Sequence, residues 1–218
     1  MLTKEQLWGM RIDNSQEHPA PLIAGSVNDR NKLFPKSVIG IDRDGVLIQL
    51  QKSPIKSRDQ CIPLPGALEA VAIMRQKGHK VVIIFDQPEI SAGTISTFEV
   101  DRMNTYLFEL LGAAGCMSVD GLYYCTSSNK QDMFSKRNTG MFDRAESELK
   151  VSFRDGGYYV GDSIEDLEIA AKIKSTPVLV NTGNYLSTTA RLNTFSKKNL
   201  RSKVKNFDTL LDFANWLT

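Results

Sequence analysis

Two short stretches of this chain place carboxylates where they would have to share a site. In the first, Ile39-Gly40-Ile41-Asp42-Arg43-Asp44-Gly45-Val46-Leu47, an apolar run ends in two aspartates two residues apart. Their side chains point the same way while the chain stays extended, and Gly45 then lets the backbone turn sharply. Like charges held this close are costly unless a cation or a shared proton compensates them, so the pair suggests a metal site. An Asp-Gly turn closed by side-chain hydrogen bonds accounts for the same residues without any metal. The second stretch is Tyr158-Tyr159-Val160-Gly161-Asp162-Ser163-Ile164-Glu165-Asp166. Here Asp162 falls at a strand end and Asp166 lies one helical turn on, able to face back toward it. Ser163 with Asp166 also reads as a capping box. Two acidic strand ends together match what octahedral, oxygen-ligated Mg²⁺ requires, namely a few carboxylates, a carbonyl and room for water and phosphate.

The elements that would position these acids alternate along the chain. The runs SVIGI, KVVIIF, GLYYC, GYYVG and TPVLV read as short buried strands, and between or after them Gly66 to Gln76, Ile95 to Leu111, Met141 to Lys150, Ser163 to Ile173 and Phe207 to Leu217 carry apolar residues at helical spacing. Alternation of this kind predicts βαβ units around a mostly parallel sheet, a three-layer α/β sandwich. Ligands of such sheets bind beyond the carboxyl ends of the strands, where both acidic stretches fall. The intervals from Asp42 to Asp86 and from Asp86 to Lys136 hold a helix and a strand each but no large cap domain. Residues 1–36 read as an N-terminal extension, with a capping box at Thr3 and Gln6 and a staple of Leu2 with Leu7; residues 37–218 form the domain.

The 27 Lys and Arg against 25 Asp and Glu leave a formal charge of +2, too little to draw the whole molecule to nucleic acid or membrane. The three cysteines, Cys61, Cys116 and Cys125, are odd in number and widely spaced, which fits reduced thiols in a cytoplasmic protein. No apolar run reaches the roughly 20 residues of a membrane span, and the opening MLTKEQLWGM lacks the order of a signal peptide.

DRDGV at Asp42 to Val46 and GDSIED at Gly161 to Asp166 resemble the first and fourth motifs of the haloacid dehalogenase superfamily. The closer similarity is to its branch containing heptose bisphosphate phosphatase and histidinol phosphatase, and it extends from about Ser37 to the C-terminus through PGALEAV, GLYYC and the Thr-Gly-Met-Phe helix start at Thr139. This resemblance implies an Mg²⁺-dependent phosphomonoester hydrolase acting on a small sugar phosphate or similar metabolite. Asp42 would be the nucleophile and Asp44 the general acid and base. Asp42, the backbone carbonyl of Asp44, and Asp162 would hold the metal, with Asp166 in direct or indirect contact. By register with Gly140, Lys136 would steady the transferring phosphoryl group, with Arg137 close behind it.

The chain departs from that pattern twice. Relatives follow their second strand with Thr-Asn and Gln-Ser-Gly, whose groups grip phosphate, whereas this chain reads Phe85-Asp86-Gln87-Pro88-Glu89. Asp86 and Gln87 remain the expected substrate-binding positions, and the carboxylate of Asp86 is expected to face the phosphate and repel it. Relatives also often carry a zinc loop after the third strand. Here Cys125 matches its first ligand, but Ser127 stands at the histidine position and no later cysteine exists, so four ligands cannot be assembled.

Three other readings compete. A response-regulator receiver is also a phospho-aspartate protein, but it lacks the GDxxxD strand end. A degenerate family member would keep the fold and bind a ligand or partner with little hydrolysis. A polynucleotide 3′-phosphatase would use the basic stretch Lys197, Lys198, Arg201, Lys203 and Lys205, although no stacking platform of aromatics is interleaved with it. His18 reads as ordinary surface, and Trp8 and Trp216 as packing residues. A metal assay on purified protein is expected to find no stoichiometric zinc; one zinc per chain would show that the loop after Cys125 assembles a site from other ligands.

Overall fold

The computed structural model describes residues 37–116, 118–194 and 197–218. The expectations for Thr3, Gln6, Leu2, Leu7, Trp8 and His18 lie outside these residues, as does the character of residues 1–36. Within the described residues the order is β1 (Val38–Ile41), α1 (Ala67–Gln76), β2 (Lys80–Asp86), α2 (Thr97–Ala113), β3 (Gly121–Cys125), α3 (Gly140–Leu149), β4 (Tyr158–Gly161), α4 (Ile164–Lys172), β5 (Thr176–Val180), α5 (Tyr185–Leu192), α6 (Lys198–Arg201), β6 (Lys205–Phe207) and α7 (Leu210–Trp216). The strands form one sheet in the order β3-β2-β1-β4-β5-β6, and every pair is parallel.

Alternation along each strand sorts its side chains into two layers. On β2, Val81, Ile83 and Phe85 join a core with residues of α1, α2 and α7. Val82 and Ile84 face the opposite way, into a core with Met141, Phe142 and Ala145 of α3 and Ile169 and Ala170 of α4. Helices on both faces make this the three-layer sandwich that the sequence predicts. A smaller cluster of Ile164, Leu167, Leu179 and Leu192 seats α4 and α5 against β5.

β1 lies at the centre, and the strand order reverses beside it: the chain runs outward to β2 and β3, then returns to place β4 on the other side. In open parallel sheets ligands bind at such a switch point, which here lies between the carboxyl ends of β1 and β4, the strands followed by Asp42 and Asp162. The connection from β1 to α1 holds a single turn of 3₁₀ helix at Arg58–Gln60 and bridges Asp44 to Ile48 and Ile48 to Pro63. It forms a small flap with no cap domain.

Three elements are not legible as such in the sequence. β6 is only Lys-Asn-Phe, with two exposed residues, and it begins at the last residue of the basic stretch, Lys205. It shortens the helix expected over Phe207 to Leu217 to α7, which starts at a Thr209 capping box. The short helices α5 and α6 follow β5 without a long apolar stripe. Lys197 pairs with Glu168 and Lys205 sits over the Trp216 ring, so part of the basic stretch is engaged in packing. Trp216 itself packs against Tyr158, Phe207 and Phe213. Among the described residues no helix is long and apolar enough to cross a membrane.

Gly40, in the middle of β1, faces the buried rings of Tyr159 and Phe153, and a Cβ there would lie 2.6 Å from Tyr159 Cδ2 and 3.0 Å from Phe153 Cε1. Neither ring can retreat, because Phe142 meets both edge-on and the Tyr159 hydroxyl donates to the Ile84 carbonyl. Gly40→Ala is therefore expected to destabilise the fold by about 1–3 kcal/mol through overpacking. Urea unfolding should show a lower midpoint with an unchanged slope, and undiminished stability would mean that the rings can shift at no cost.

Candidate active site

β1 hands its hydrogen-bond ladder on to Asp42, whose N–H donates to the Val160 carbonyl of β4. Its side chain leaves on the same face as Gly40, toward α3 and α4, while Arg43 leaves on the other. At the end of β4, Asp162 is 1% exposed, and Asp166, in the first turn of α4, is fully buried. Oxygens of Asp42, Asp162 and Asp166 all lie within 4.8 Å of one another. Lys136, from the loop before α3, places its Nζ 2.6 Å from Asp42 Oδ2 and 2.9 Å from Asp166 Oδ1. The structure thus brings four of the sequence-predicted residues into one cluster.

Asp166 satisfies both readings of its motif. Its Oδ2 accepts from the Ser163 N–H and hydroxyl, completing a capping box, while Oδ1 faces Lys136. The cap orients the carboxylate and the free oxygen does the electrostatic work.

Burial and like charge set the ionisation of the cluster. Burial pushes the Asp42 carboxyl well above its ordinary pKa; Lys136 opposes this, and Asp166 and Asp162 add to it. Burial, with the Asp166 charge, raises Asp162 to about 6. Burial works against the Lys136 ammonium, but Asp166 and Asp42 together outweigh it and hold its pKa well above normal. Three buried acids against one ammonium leave an excess of negative charge that a divalent cation would neutralise, and oxygen donors in this number suit Mg²⁺.

Other expected residues are placed differently. The Asp44 side chain turns to Arg43, accepting from Nε at 2.8 Å and Nη2 at 3.0 Å. Arg43 is 2% exposed, has its Cζ 3.8 Å from the centroid of the Phe85 ring, and donates from Nη2 to Gln87 Oε1. Burial opposes the guanidinium charge, but Asp44 more than compensates and raises its pKa. Gln87 is expected to grip substrate, yet it is buried, with its Oε1 on Arg43 and its Nε2 donating to Glu89. Both ends of this amide are used within the protein, because Arg43 needs an acceptor beside Phe85. Asp86 is expected to face the phosphate, yet its Oδ1 accepts the Lys136 N–H at 2.7 Å and its Oδ2 accepts the Ser135 hydroxyl at 3.2 Å. Arg137 stands on the rim, 44% exposed and 3.6 Å from Glu165. Cys125 is buried in β3, where burial raises its thiol to about 11, as a packed strand residue would be.

Sequence reasoning missed the loop after β5. Asn184 donates to Asp162 Oδ2 from its N–H at 2.6 Å and from Nδ2 at 3.1 Å. Thr188 donates to the Asp162 carbonyl, and Thr182 to the Gly45 carbonyl. Gly45 and Gly183, with φ of 87° and 51°, both press on Asp162 so closely that a Cβ on either would overlap its carboxylate. The available signal was the apolar run TPVLV followed at once by Asn-Thr-Gly-Asn, a polar strand end in a parallel sheet.

Residues 133–205 match the HAD-hydrolase-like family model. A D-glycero-beta-D-manno-heptose-1,7-bisphosphate 7-phosphatase of Pseudomonas aeruginosa is 32% identical over 154 residues, 70% of this chain and 85% of the relative. One from Neisseria meningitidis is 27% identical over 181 residues, 83% of this chain and 94% of the relative. Among solved structures, the D,D-heptose 1,7-bisphosphate phosphatase of B. bronchiseptica, complexed with magnesium and phosphate, superposes with a TM-score of 0.74 at 28% identity, covering 82% of this chain and 96% of that one. The corresponding protein of Burkholderia thailandensis gives 0.62 at 25% identity, covering 83% and 97%.

If the buried acids form a cation site, added Mg²⁺ should raise the melting temperature at neutral pH relative to protein in EDTA. Asp162 carries a raised pKa, so it loses its charge as pH falls through about 6, and the Mg²⁺-dependent increment should shrink across that range. An increment that stayed constant below pH 6, or none at neutral pH, would count against the site.

Proposed function

The chain belongs to the haloacid dehalogenase superfamily, on the branch of the heptose bisphosphate phosphatases, and is a phosphatase; from that premise we propose that it hydrolyses a phosphomonoester of a small sugar or related metabolite, with Mg²⁺, through an aspartyl-phosphate on Asp42. The observation that carries this reading is the place of Asp42. It lies at the switch point of the sheet, in a buried acidic cluster with one ammonium 2.6 Å from its Oδ2.

Asp42, the Asp44 carbonyl, Asp162 and Asp166 are the groups that would hold the metal. When bound, the ion supplies positive charge that keeps Asp42 ionised and offsets the charge of the phosphate. A carboxylate oxygen of Asp42 attacks phosphorus, and the bond from phosphorus to the alcohol oxygen breaks. Asp44, protonated, gives its proton to that leaving oxygen. It then takes a proton from the water that attacks the phosphorus of the acyl phosphate, which releases phosphate and restores both side chains. For this the Asp44 side chain, 30% exposed, must leave Arg43. Lys136 stabilises the charge gathering on the equatorial oxygens. Arg137, exposed and near Glu165, would meet the rest of the substrate.

Asp42→Asn is expected to abolish Mg²⁺-dependent phosphate release while the circular dichroism of the fold persists, and undiminished turnover would remove the mechanism. Asp44→Asn should slow turnover by roughly 10²–10⁴ and leave Mg²⁺ affinity, measured by calorimetry, nearly unchanged, because its carbonyl rather than its carboxylate is the ligand. Parallel losses of affinity and rate would assign the Asp44 side chain to the metal.

A further inference from the structure

From the contacts of its two oxygens we infer that Asp86 is a positioning residue, one that ties the phosphoryl-holding lysine to the end of β2 and does not itself meet the phosphate. The inference rests on the role proposed for Lys136.

Asp86 is the last residue of β2 and pairs with Cys125 in the ladder to β3, so its backbone is held by the sheet. Its Oδ1 accepts the Lys136 N–H at 2.7 Å and its Oδ2 accepts the hydroxyl of buried Ser135 at 3.2 Å. A carboxylate only accepts, so two adjacent donors of one loop suit it well. Near its two ends the segment between β3 and α3 is also tied to other elements, the Ser128 N–H donating to the Ser91 hydroxyl and Asn138 Oδ1 accepting from Lys172, while several bonds nearer Lys136 fold it on itself. Asn129 accepts from the Gln131 N–H, Asp132 accepts from the Phe134 N–H, and Asn138 donates to the carbonyls of Lys130 and Asp132. These shape the loop, whereas Asp86 reaches from the sheet to the backbone of the residue whose ammonium lies among Asp42 and Asp166. The side chain of Lys136 then extends from a backbone fixed relative to Asp42, and displacing that backbone would move the ammonium off the reacting phosphoryl group.

This accounts for a carboxylate where phosphate repulsion would forbid one. Both oxygens are occupied by neutral donors of the protein, and the charge helps to hold a cationic residue.

Two replacements separate the possibilities. Asp86→Asn keeps a carbonyl oxygen for the Lys136 N–H and turns an amide toward the Ser135 oxygen, which can accept. Asp86→Ala leaves the Lys136 N–H without its partner. With p-nitrophenyl phosphate and Mg²⁺, we expect kcat of Asp86→Asn within about threefold of wild type. Asp86→Ala should lose about thirtyfold in kcat with KM changed less than about threefold, as for a misplaced catalytic group. Amide hydrogen exchange read by mass spectrometry should show the peptide spanning residues 133–138 exchanging faster in Asp86→Ala and at the wild-type rate in Asp86→Asn. If Asp86→Ala does not fold, Asp86→Ser, too short to reach Lys136, replaces it with the same expectations. A roughly tenfold gain in kcat/KM for Asp86→Asn would place the carboxylate against the phosphate and overturn the inference. So would wild-type exchange in the Ala or Ser variant. Wild-type protein that turned over no phosphomonoester would instead defeat the proposed function, and the exchange measurement would still decide whether Asp86 holds the loop.

Discussion

Three carboxylates packed out of water within 4.8 Å of one another are the constraint around which this molecule is built. Two unit charges about 5 Å apart at an effective dielectric near 20 repel by about 3 kcal/mol, and desolvation adds to that. The fold brings the acids together anyway, from the ends of β1 and β4 and the first turn of α4, and offsets part of the repulsion with Lys136. Its pKa rises in consequence, although burial alone would lower it. Glycines at 45 and 183 give Asp162 room, and Asn184 spends two donors on it. A site arranged at this cost suits a cation and a dianionic ligand, whose charges each answer something already present.

The end of β2 and the residues after it show how a functional pattern can differ while its surroundings accommodate it. Phe85 faces the α1 and α2 core and carries the Arg43 guanidinium on its ring, with Tyr124 stacked beyond it. Gln87 accepts from the same guanidinium, and Arg43 in turn holds Asp44. The residues that replace the usual phosphate-gripping side chains thus form a continuous set of contacts under the site. A buried arginine is tolerable only with such partners, so Phe85, Gln87 and Asp44 are best understood as one arrangement. It holds the side chain of Asp44, the proposed acid, on the Arg43 guanidinium.

Much of this was legible before any coordinates. The parallel α/β architecture follows from short β-branched runs alternating with helical stripes, because each strand buried on both faces must be almost wholly apolar. Asp42, Asp162 and Asp166 could be picked out because each follows such a run within a few residues, and a strand end in a parallel sheet opens on the ligand crevice. Lys136 required the family resemblance, since a lysine in a polar loop carries no local mark of where its ammonium ends.

What only the tertiary structure decided is where the polar side chains of the loops point. Asp86 and Gln87 had the right positions for substrate contact, but each was claimed by a group from another segment, the Lys136 N–H and the Arg43 guanidinium, and such pairings across 50 or 44 residues leave no trace in local spacing. β6 forms because β5 leaves an edge and α7 packs on α1, which a tripeptide cannot announce. The strand periods and their acidic ends arise from interactions within a few residues and from burial, both written along the chain. The partners of a hydrogen bond between loops depend on the closed fold.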